Sequence, residues 1–218
     1  MVSIRFLGYD MTIILFDFDG VLADTLDDLL NFGRAACTQL GLQRDPTPAD
    51  LDALETMSFA DYGRQLNVPT QQINEFVNLC LQMFNRRSLS PKIFEGMERV
   101  IREAATDHIL AIITGNTTPT VETFLQENEL RTHIKLIIGI EQKGSRPEKI
   151  ERVLKELKNG TNAYMVGDAV SDIHAARKTA IKSIAVGWGH QSLARLEQAK
   201  PDHLVRSPQE LLELLKKI

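Results

Sequence analysis

The stretch "TIILFDFDGVLADT", residues 12–25, combines the pattern of a buried strand with two carboxylates. Its apolar run, rich in β-branched residues, predicts a strand buried on both faces of a sheet. The run ends at Asp17 and Asp19, one residue apart, and Gly20 follows directly. Because aspartates are rarely buried without a partner, this pair requires a metal ion, a proton or a cationic ligand nearby. The stretch therefore predicts a core strand with an ion-binding site at its end.

Further along the chain, short apolar runs alternate with helical patterns. The runs lie at 109–114, 134–140, 163–167, 183–187 and, more weakly, 203–205. Between them, amphipathic patterns at 119–130, 147–158 and 171–180 predict helices. This alternation is typical of a parallel sheet with helices on both faces. We therefore predict an α/β fold, a doubly wound parallel sheet.

The interval 24–91 has a different pattern, with helical signals and no credible strand. The predicted helices in it lie at 25–41, 48–55, 58–66 and 70–86. Prolines and residues typical of N-caps stand at the starts of two of them, in "RDPTPAD" and "NVPTQQ". We therefore predict an α/β core domain formed by residues 1–23 and 92–218, with an all-helical domain, residues 24–91, inserted after the first strand.

Composition and charge narrow the class of partner. The 218-residue chain has a net charge of −4 and no block of five basic residues, which argues against a nucleic-acid partner. Its two cysteines, Cys37 and Cys80, lie in helical patterns, so we interpret them as packing residues in a reducing compartment. No apolar stretch approaches the roughly 20 residues that span a bilayer. We expect a cytoplasmic protein without a membrane partner, either a monomer or a homodimer.

Carboxylates follow two of the predicted strands, where the ends of parallel strands form a crevice. Asp17 and Asp19 follow the first, and Asp168 follows the run at 163–167. Mg²⁺ prefers such oxygen ligands, so we predict that Asp17, Asp168 and the backbone carbonyl of Asp19 bind it. Asp172, four residues after Asp168 at the start of a helical pattern, could hold a water ligand of the same ion.

Thr114, Gly115 and Asn116 follow the run at 109–114 and suit a different task. They precede a predicted helix with Thr118 as its N-cap and Pro119 as its first residue. A helix N-terminus with free backbone N–H groups is a ready anion site, so this segment predicts phosphate binding. Each short motif also occurs in ordinary turns, but together, at successive strand ends, they indicate one site.

These motifs resemble those of the haloacid dehalogenase-like hydrolase superfamily. "DFDGVLADT" resembles its first motif, "TGN" its second and "GDAVSD" its fourth. The resemblance covers residues 12–215, and the helical insertion is similar to the C1 cap of that superfamily. "AVGWGHQS" (185–192) and "PDHLVRSPQELLELL" (201–215) further resemble the phosphoglycolate phosphatase-like branch.

The resemblance implies catalytic roles for the first two aspartates. Asp17 would be the nucleophile that forms an aspartyl-phosphate, and Asp19 the general acid and base. The third motif of the superfamily contains a lysine, often before a proline, but here Arg146 precedes the proline and Lys149 follows one turn later, with Lys143 upstream. We expect Lys149 or Arg146 to supply the cation, with a preference for Lys149, because a side chain in the first turn can point back toward the site.

The resemblance thus implies a Mg²⁺-dependent phosphatase acting on a small-molecule phosphate monoester, with phosphoglycolate as one candidate. A phosphoglucomutase-like phosphotransferase of the same fold stays open, as does a non-catalytic binding protein, although the intact acidic residues argue against the latter. We expect Ser58, Asp61 and Arg64 of the helical insertion to face the substrate. Trp188 and His190, in "GWGH", stay undecided between packing and a place at the site.

Overall fold

The computed structural model describes residues 11–85, 90–157 and 162–218, and its centre is a six-stranded parallel sheet. The sheet has the strand order β5-β4-β1-β6-β7-β8, while β2 and β3 form a separate antiparallel ribbon. The strands are β1 (Ile13–Phe16), β2 (Ala23–Asp24), β3 (Lys92–Ile93), β4 (Ile109–Ile113), β5 (Ile134–Ile138), β6 (Ala163–Gly167), β7 (Lys182–Val186) and β8 (His203–Val205). The six strands of the large sheet lie within two residues of their predicted bounds.

Helices cover both faces of the sheet, as the fold prediction requires. The helices are α1 (Leu26–Gln39), α2 (Pro48–Asp52), α3 (Phe59–Gln65), α4 (Ile73–Asn85), α5 (Met97–Ala104), α6 (Thr118–Glu127), α7 (Arg146–Glu156), α8 (Val170–Lys178), α9 (Leu193–Gln198) and α10 (Pro208–Leu215). Alternate residues of β1 point to opposite faces: Ile14 and Phe16 pack with α5, α6 and α10, whereas Ile13 and Leu15 pack with α7 and α8. The predicted doubly wound α/β fold is confirmed.

The helices α1 to α4 form a helical insertion, residues 26–85, with a hydrophobic core of its own. Its fully buried residues include Tyr62 and Phe76, whose rings meet edge to face with centroids 6.0 Å apart. Cys37 and Cys80 are both buried in this core with free thiols, in keeping with packing roles. The predicted helix at 70–86 begins with a 3₁₀ turn, Thr70–Gln72, and continues as α4.

The ribbon of β2 and β3 joins the two ends of the helical insertion to the sheet. Ala23 pairs with Ile93 and Asp24 with Lys92, and the backbone N–H of Phe94 donates to the Leu22 carbonyl (3.0 Å). The sequence analysis did not predict this pairing, because two residues per strand are too few to show a pattern. Residues 86–89, in the predicted helical domain, and residues 1–10, in the predicted core domain, lie outside the described residues.

Helix α5 lies between the β2–β3 ribbon and β4. Helix α5 was not predicted, although its buried residues Met97, Val100, Ile101 and Ala104 have the spacing of an amphipathic helix. The chain before β4 thus adds one more helix to the sheet face that carries α6 and α10. No helix in the described ranges has both the length and the apolar character needed to cross a bilayer.

Gly33 of α1 allows this helix to approach Tyr62 of α3 closely, so a larger residue at position 33 should destabilise the protein. A Cβ at this position would lie 2.5 Å from the Tyr62 hydroxyl oxygen and 2.7 Å from its ring. Tyr62 is 1% exposed and belongs to the hydrophobic core of the insertion. We expect Gly33→Ala to lower the free energy of unfolding by about 1–3 kcal/mol, as overpacked cores do. Gly→Ala within a helix ordinarily stabilises by about 0.5–1 kcal/mol, so a rise in the urea midpoint would contradict the predicted clash.

Candidate active site

The predicted site residues meet at the carboxyl edge of the sheet. Asp17 follows β1 and Asp168 follows β6, two strands that are neighbours in the sheet. The segment Thr114–Gly115–Asn116 follows β4 on the other side of β1. Asp172 lies in the first turn of α8 and is 2% exposed. The parallel strand order therefore brings Asp17 together with Asp172, which is 155 residues later in the chain.

Three buried carboxylates form an acidic cluster at this edge. One oxygen from each of Asp17, Asp168 and Asp172 lies within 4.8 Å of the others. The backbone N–H of Phe18 donates to Asp17 Oδ1 (2.7 Å), and that of Ala169 donates to Asp172 Oδ2 (3.1 Å). Such an all-oxygen set, without cysteine or histidine ligands, suits a hard divalent cation.

Arg146, the first residue of α7, is in direct contact with the predicted nucleophile. Its Nη1 lies 2.9 Å from Asp17 Oδ2 and also contacts Asp172 Oδ1. Lys149 is buried one turn later, and its ammonium donates to the Gly139 carbonyl (2.7 Å) after β5. Burial and the Arg146 charge lower the pKa of Lys149. The sequence analysis preferred Lys149; in the structure Arg146 contacts Asp17, whereas the Lys149 ammonium contacts the Gly139 carbonyl. Which of the two supplies the cation stays a prediction.

The cluster shows the electrostatic cost of burying like charges. Burial raises the pKa of Asp17 above its usual value, although the neighbouring Arg146 opposes this. Burial likewise raises the pKa of Asp172 to about 8, against the same opposing charge. Asp168 differs: burial, the largest single cause, would raise its pKa, but the charge and hydrogen bonds of His190 and the charge of Arg146 together place the pKa below the usual value. A bound divalent cation would favour the ionised form of all three carboxylates.

His190 belongs to the site, a point that the sequence left undecided. Its Nδ1 lies 2.9 Å from Asp168 Oδ2, its backbone N–H donates to the same oxygen (2.7 Å), and its Nε2 lies 3.1 Å from the Thr25 hydroxyl. Gly20 allows this arrangement: its φ is +78°, and a Cβ there would overlap the Asp168 carboxylate and lie 2.6 Å from His190 Nδ1. The glycines around Trp188 in "GWGH" were the available sequence signal for a closely packed turn.

Asn116 orients the second aspartate of the first motif. Its Nδ2 donates to Asp19 Oδ2 (3.3 Å), and its Oδ1 accepts from the backbone N–H of Thr117 (2.8 Å). Thr114 Oγ1 accepts from the backbone N–H of Asn116 (2.9 Å), which holds this turn together. Gly115 lines the cavity beside Asp17 and Asp19.

The start of helix α6 differs in detail from the prediction. Thr117, and not Thr118, is the N-cap: its side chain accepts from the backbone N–H of Thr120, and Pro119 is the second helical residue. The backbone N–H of Thr118 donates to the Glu141 carboxylate, with oxygens 3.1 and 3.3 Å away. One of the donors predicted for an anion thus already has a partner within the chain.

A cavity of about 420 Å³ lies between the acidic cluster and the helical insertion. Asp17, Asp19 and Asp168 line one end of it, and residues of α1, α3, α4 and the α2–α3 loop line the other. Of the polar residues expected to face it, Ser58 lines the cavity. Asp61 and Arg64 pair with each other instead (2.5 Å), and Arg64 is exposed. Asp61 also bonds to the Ser58 hydroxyl, and the expected role of Asp61 and Arg64 at the site stays a prediction.

A set of hydrogen bonds joins the loop after β7 to the end of α2 and the α2–α3 loop. We call the four residues that make these bonds the clasp: Asp52, Leu54, Gln191 and Ser192. Gln191 Nε2 donates to the Leu54 carbonyl (2.7 Å), and its Oε1 accepts from the backbone N–H of Val170 (2.7 Å). The backbone N–H of Ser192 donates to Asp52 Oδ1 (2.7 Å). The sequence analysis did not find these residues, because each is an ordinary loop polar group until the fold pairs them.

Comparison with known proteins agrees with this geometry. The chain is 26% identical over 206 residues to a phosphoglycolate phosphatase from Synechococcus elongatus, covering 93% of this chain and 96% of that one. It is 23% identical over 212 residues to a pyrophosphatase from Bacillus mycoides, covering 94% and 97%. The structure of a haloacid dehalogenase-like hydrolase from Streptococcus pneumoniae is similar with a TM-score of 0.82 at 21% identity, covering 94% and 98%.

The sequence pattern of the haloacid dehalogenase-like hydrolases matches residues 14–186, from β1 to the end of β7. This range contains the acidic cluster, Arg146 and the helical insertion. The predicted superfamily and the resemblance to its phosphoglycolate phosphatase-like branch are confirmed. The chain belongs to the haloacid dehalogenase-like hydrolase family and is a phosphatase of that family.

Proposed function

We propose that this phosphatase hydrolyses small phosphate monoesters in a Mg²⁺-dependent reaction, with Asp17 as the nucleophile. The observation that carries the proposal is the position of Asp17, which ends the central strand, pairs with Arg146 and lines the cavity. A carboxylate oxygen there can reach a phosphorus atom held in the cavity. The phosphoryl group would transfer to Asp17, and water would then release it.

The metal would bind at the acidic cluster. Asp17 and Asp168 are the proposed carboxylate ligands, the backbone carbonyl of Asp19 a third protein oxygen, and Asp172 the residue that orients a water. When bound, Mg²⁺ supplies positive charge to the phosphoryl oxygens and offsets the repulsion among the carboxylates. The donor chemistry supports this choice, since hard cations prefer oxygen ligands.

The residues around Asp17 divide the remaining tasks. In the first step an Asp17 oxygen bonds to phosphorus while the bond to the ester oxygen breaks, and Asp19 gives its proton to the departing alkoxide. In the second step Asp19 accepts a proton from water, whose oxygen bonds to phosphorus while the bond between the Asp17 oxygen and phosphorus breaks and frees the carboxylate and inorganic phosphate. Asn116 keeps Asp19 oriented, and Arg146 offers charge to the phosphoryl oxygens. Thr114 and Gly115 complete the proposed phosphate-binding turn.

The helical insertion would act as a cap over this chemistry. In this proposal residues 24–91 form the cap domain, and residues 1–23 and 92–218 the core domain. The clasp and the β2–β3 ribbon support this division, because both join the helical insertion to the core through hydrogen bonds. A cap that covers the cavity excludes water from the phosphoryl group and contacts the alcohol part of the substrate.

Removal of the nucleophile gives the first test of the proposal. We expect Asp17→Asn to lower kcat by at least about 10³-fold, because the amide cannot attack phosphorus. Turnover of acetyl phosphate and circular dichroism would be measured together, with Asp107→Asn, an exposed residue before β4, as the matched control. Near-normal turnover by Asp17→Asn in a folded protein would refute the mechanism. A requirement for a sugar bisphosphate in the parent enzyme would favour the mutase alternative.

Metal removal gives the second test, with a readout that does not depend on activity. Mg²⁺ binds the folded cluster and should raise the Tm of the chelator-treated protein, since a ligand of the native state stabilises it. EDTA should abolish turnover, and Mg²⁺ should restore it more fully than Zn²⁺. Asp168→Asn should lose the Tm increase to a greater extent than Asp172→Asn. Full activity in EDTA, or an equal Tm increase in both variants, would contradict the ligand assignment.

A paired substitution tests which residue supplies the cation. Arg146→Met should lower kcat at least about 10²-fold, because Arg146 contacts Asp17 and Asp172 and faces the transferred group. Lys149→Met, which removes an ammonium bonded to a carbonyl, should cost less than about tenfold. Steady-state kinetics on acetyl phosphate would compare the two variants. A larger loss of kcat in Lys149→Met than in Arg146→Met would indicate that Lys149 supplies the catalytic cation.

A further inference from the structure

The cavity has a polar end and an apolar end, and the contrast between them bears on the substrate. At the sheet edge it is lined by carboxylates and by Gly115. The helical insertion contributes almost exclusively apolar side chains, among them Leu29, Leu54, Met57, Phe59, Val77 and Leu81. A phosphoryl group at the polar end therefore places the alcohol part of the ester against the apolar wall.

Ile140 extends this apolar surface from the core side. It lies in the loop after β5, lines the cavity and is 51% exposed. Among the described residues, Met11 is the other large apolar side chain that is exposed, and it lies at the opposite end of β1. An apolar ligand in the cavity would cover Ile140 and remove its surface from water.

The cations that line the cavity already face carboxylates. Within the described part of the chain these cations are Arg146, between Asp17 and Asp172, and His190, against Asp168. On the insertion side, the hydroxyl of Ser58 already contacts Asp61. A carboxylate or second phosphate on the alcohol part of a substrate would thus be buried against apolar groups without a counter-charge, which is unfavourable.

We propose that the enzyme selects phosphate monoesters of apolar alcohols, aliphatic or aromatic, over phosphoglycolate, pyrophosphate and other substrates that carry a second anionic group besides the transferred phosphoryl group. This inference rests on the proposed function, because it places the phosphoryl group at Asp17. The volume of about 420 Å³ lies within the usual range for small-molecule pockets. Each buried methylene should improve kcat/KM by up to about fourfold, the equivalent of its transfer free energy.

The first experiment compares substrates whose phosphoester bonds are alike. Methyl, butyl and hexyl phosphate have similar leaving groups, so a rise of at least about tenfold in kcat/KM from methyl to hexyl would report burial of the chain. Isobutyl phosphate matches phosphoglycolate in non-hydrogen atoms but has methyl groups in place of the carboxylate oxygens. We expect isobutyl phosphate to be the better substrate by at least about tenfold.

A substitution in the apolar wall gives the second experiment. Met57 lies in the α2–α3 loop, outside the helices, and Met57→Lys would place an ammonium in the wall. We expect the ratio of kcat/KM for isobutyl phosphate to that for phosphoglycolate to fall at least about tenfold in this variant. Met11→Lys, the same change at the opposite end of β1, should leave the ratio unaltered. The ratio does not depend on the concentration of active enzyme, and turnover of acetyl phosphate would show that each preparation is active.

The measured kcat/KM values test the apolar substrate preference separately from the phosphatase mechanism. Equal or better kcat/KM for phosphoglycolate or pyrophosphate than for isobutyl and hexyl phosphate, with Asp17-dependent turnover of acetyl phosphate, would overturn the apolar preference and leave the phosphatase mechanism standing. Absence of Asp17-dependent turnover of every ester in the presence of Mg²⁺ would overturn both. If Met57→Lys does not fold, the comparison of substrates with the unaltered enzyme still decides the question.

Discussion

The structure depends on the burial of three carboxylates, Asp17, Asp168 and Asp172, at one edge of a parallel sheet. Like charges this close are unfavourable in a protein interior unless cations lie among them. Arg146, in contact with Asp17, and His190, in contact with Asp168, supply part of that compensation. Gly20 supplies the space, because any side chain there would overlap the Asp168 carboxylate. The local backbone, the starts of α7 and α8 and the position of Gly20 thus all serve to accommodate the repulsion among these three carboxylates.

The loop that carries His190 also connects the charged site to the helical insertion. His190 joins Asp168 to Thr25, which precedes α1, and the next residue, Gln191, bonds both to the start of α8 and to the α2–α3 loop. Ser192 adds a bond to Asp52. Opening the cavity by moving the insertion would break the clasp, at a net cost of about 0.5–1.5 kcal/mol for each hydrogen bond. The position of the insertion is therefore physically linked to the residues beside the acidic cluster.

The two parts of the molecule differ in the chemistry that they present to the cavity. The sheet edge presents charges and backbone groups, held by strands that are buried on both faces. The insertion presents aliphatic and aromatic side chains that belong to a separate hydrophobic core. Rigid strands suit precise placement of reacting groups, and side chains on surrounding helices can vary without disturbing them. The residues that select the substrate can therefore vary in such an arrangement without a change in the residues that carry out the reaction.

The sequence by itself determined the sheet, its helical insertion and the set of residues at the strand ends. Apolar runs with a clear period reflect local burial, and the order of strands and helices permits few topologies. The tertiary structure alone decided that Arg146 contacts Asp17, and that His190 and Gln191 lie beside the acidic cluster. It also decided that the cavity lining includes Ser58 but not Asp61 or Arg64. These outcomes depend on the direction of single side chains between segments distant in the chain, and a local pattern carries no information about that direction.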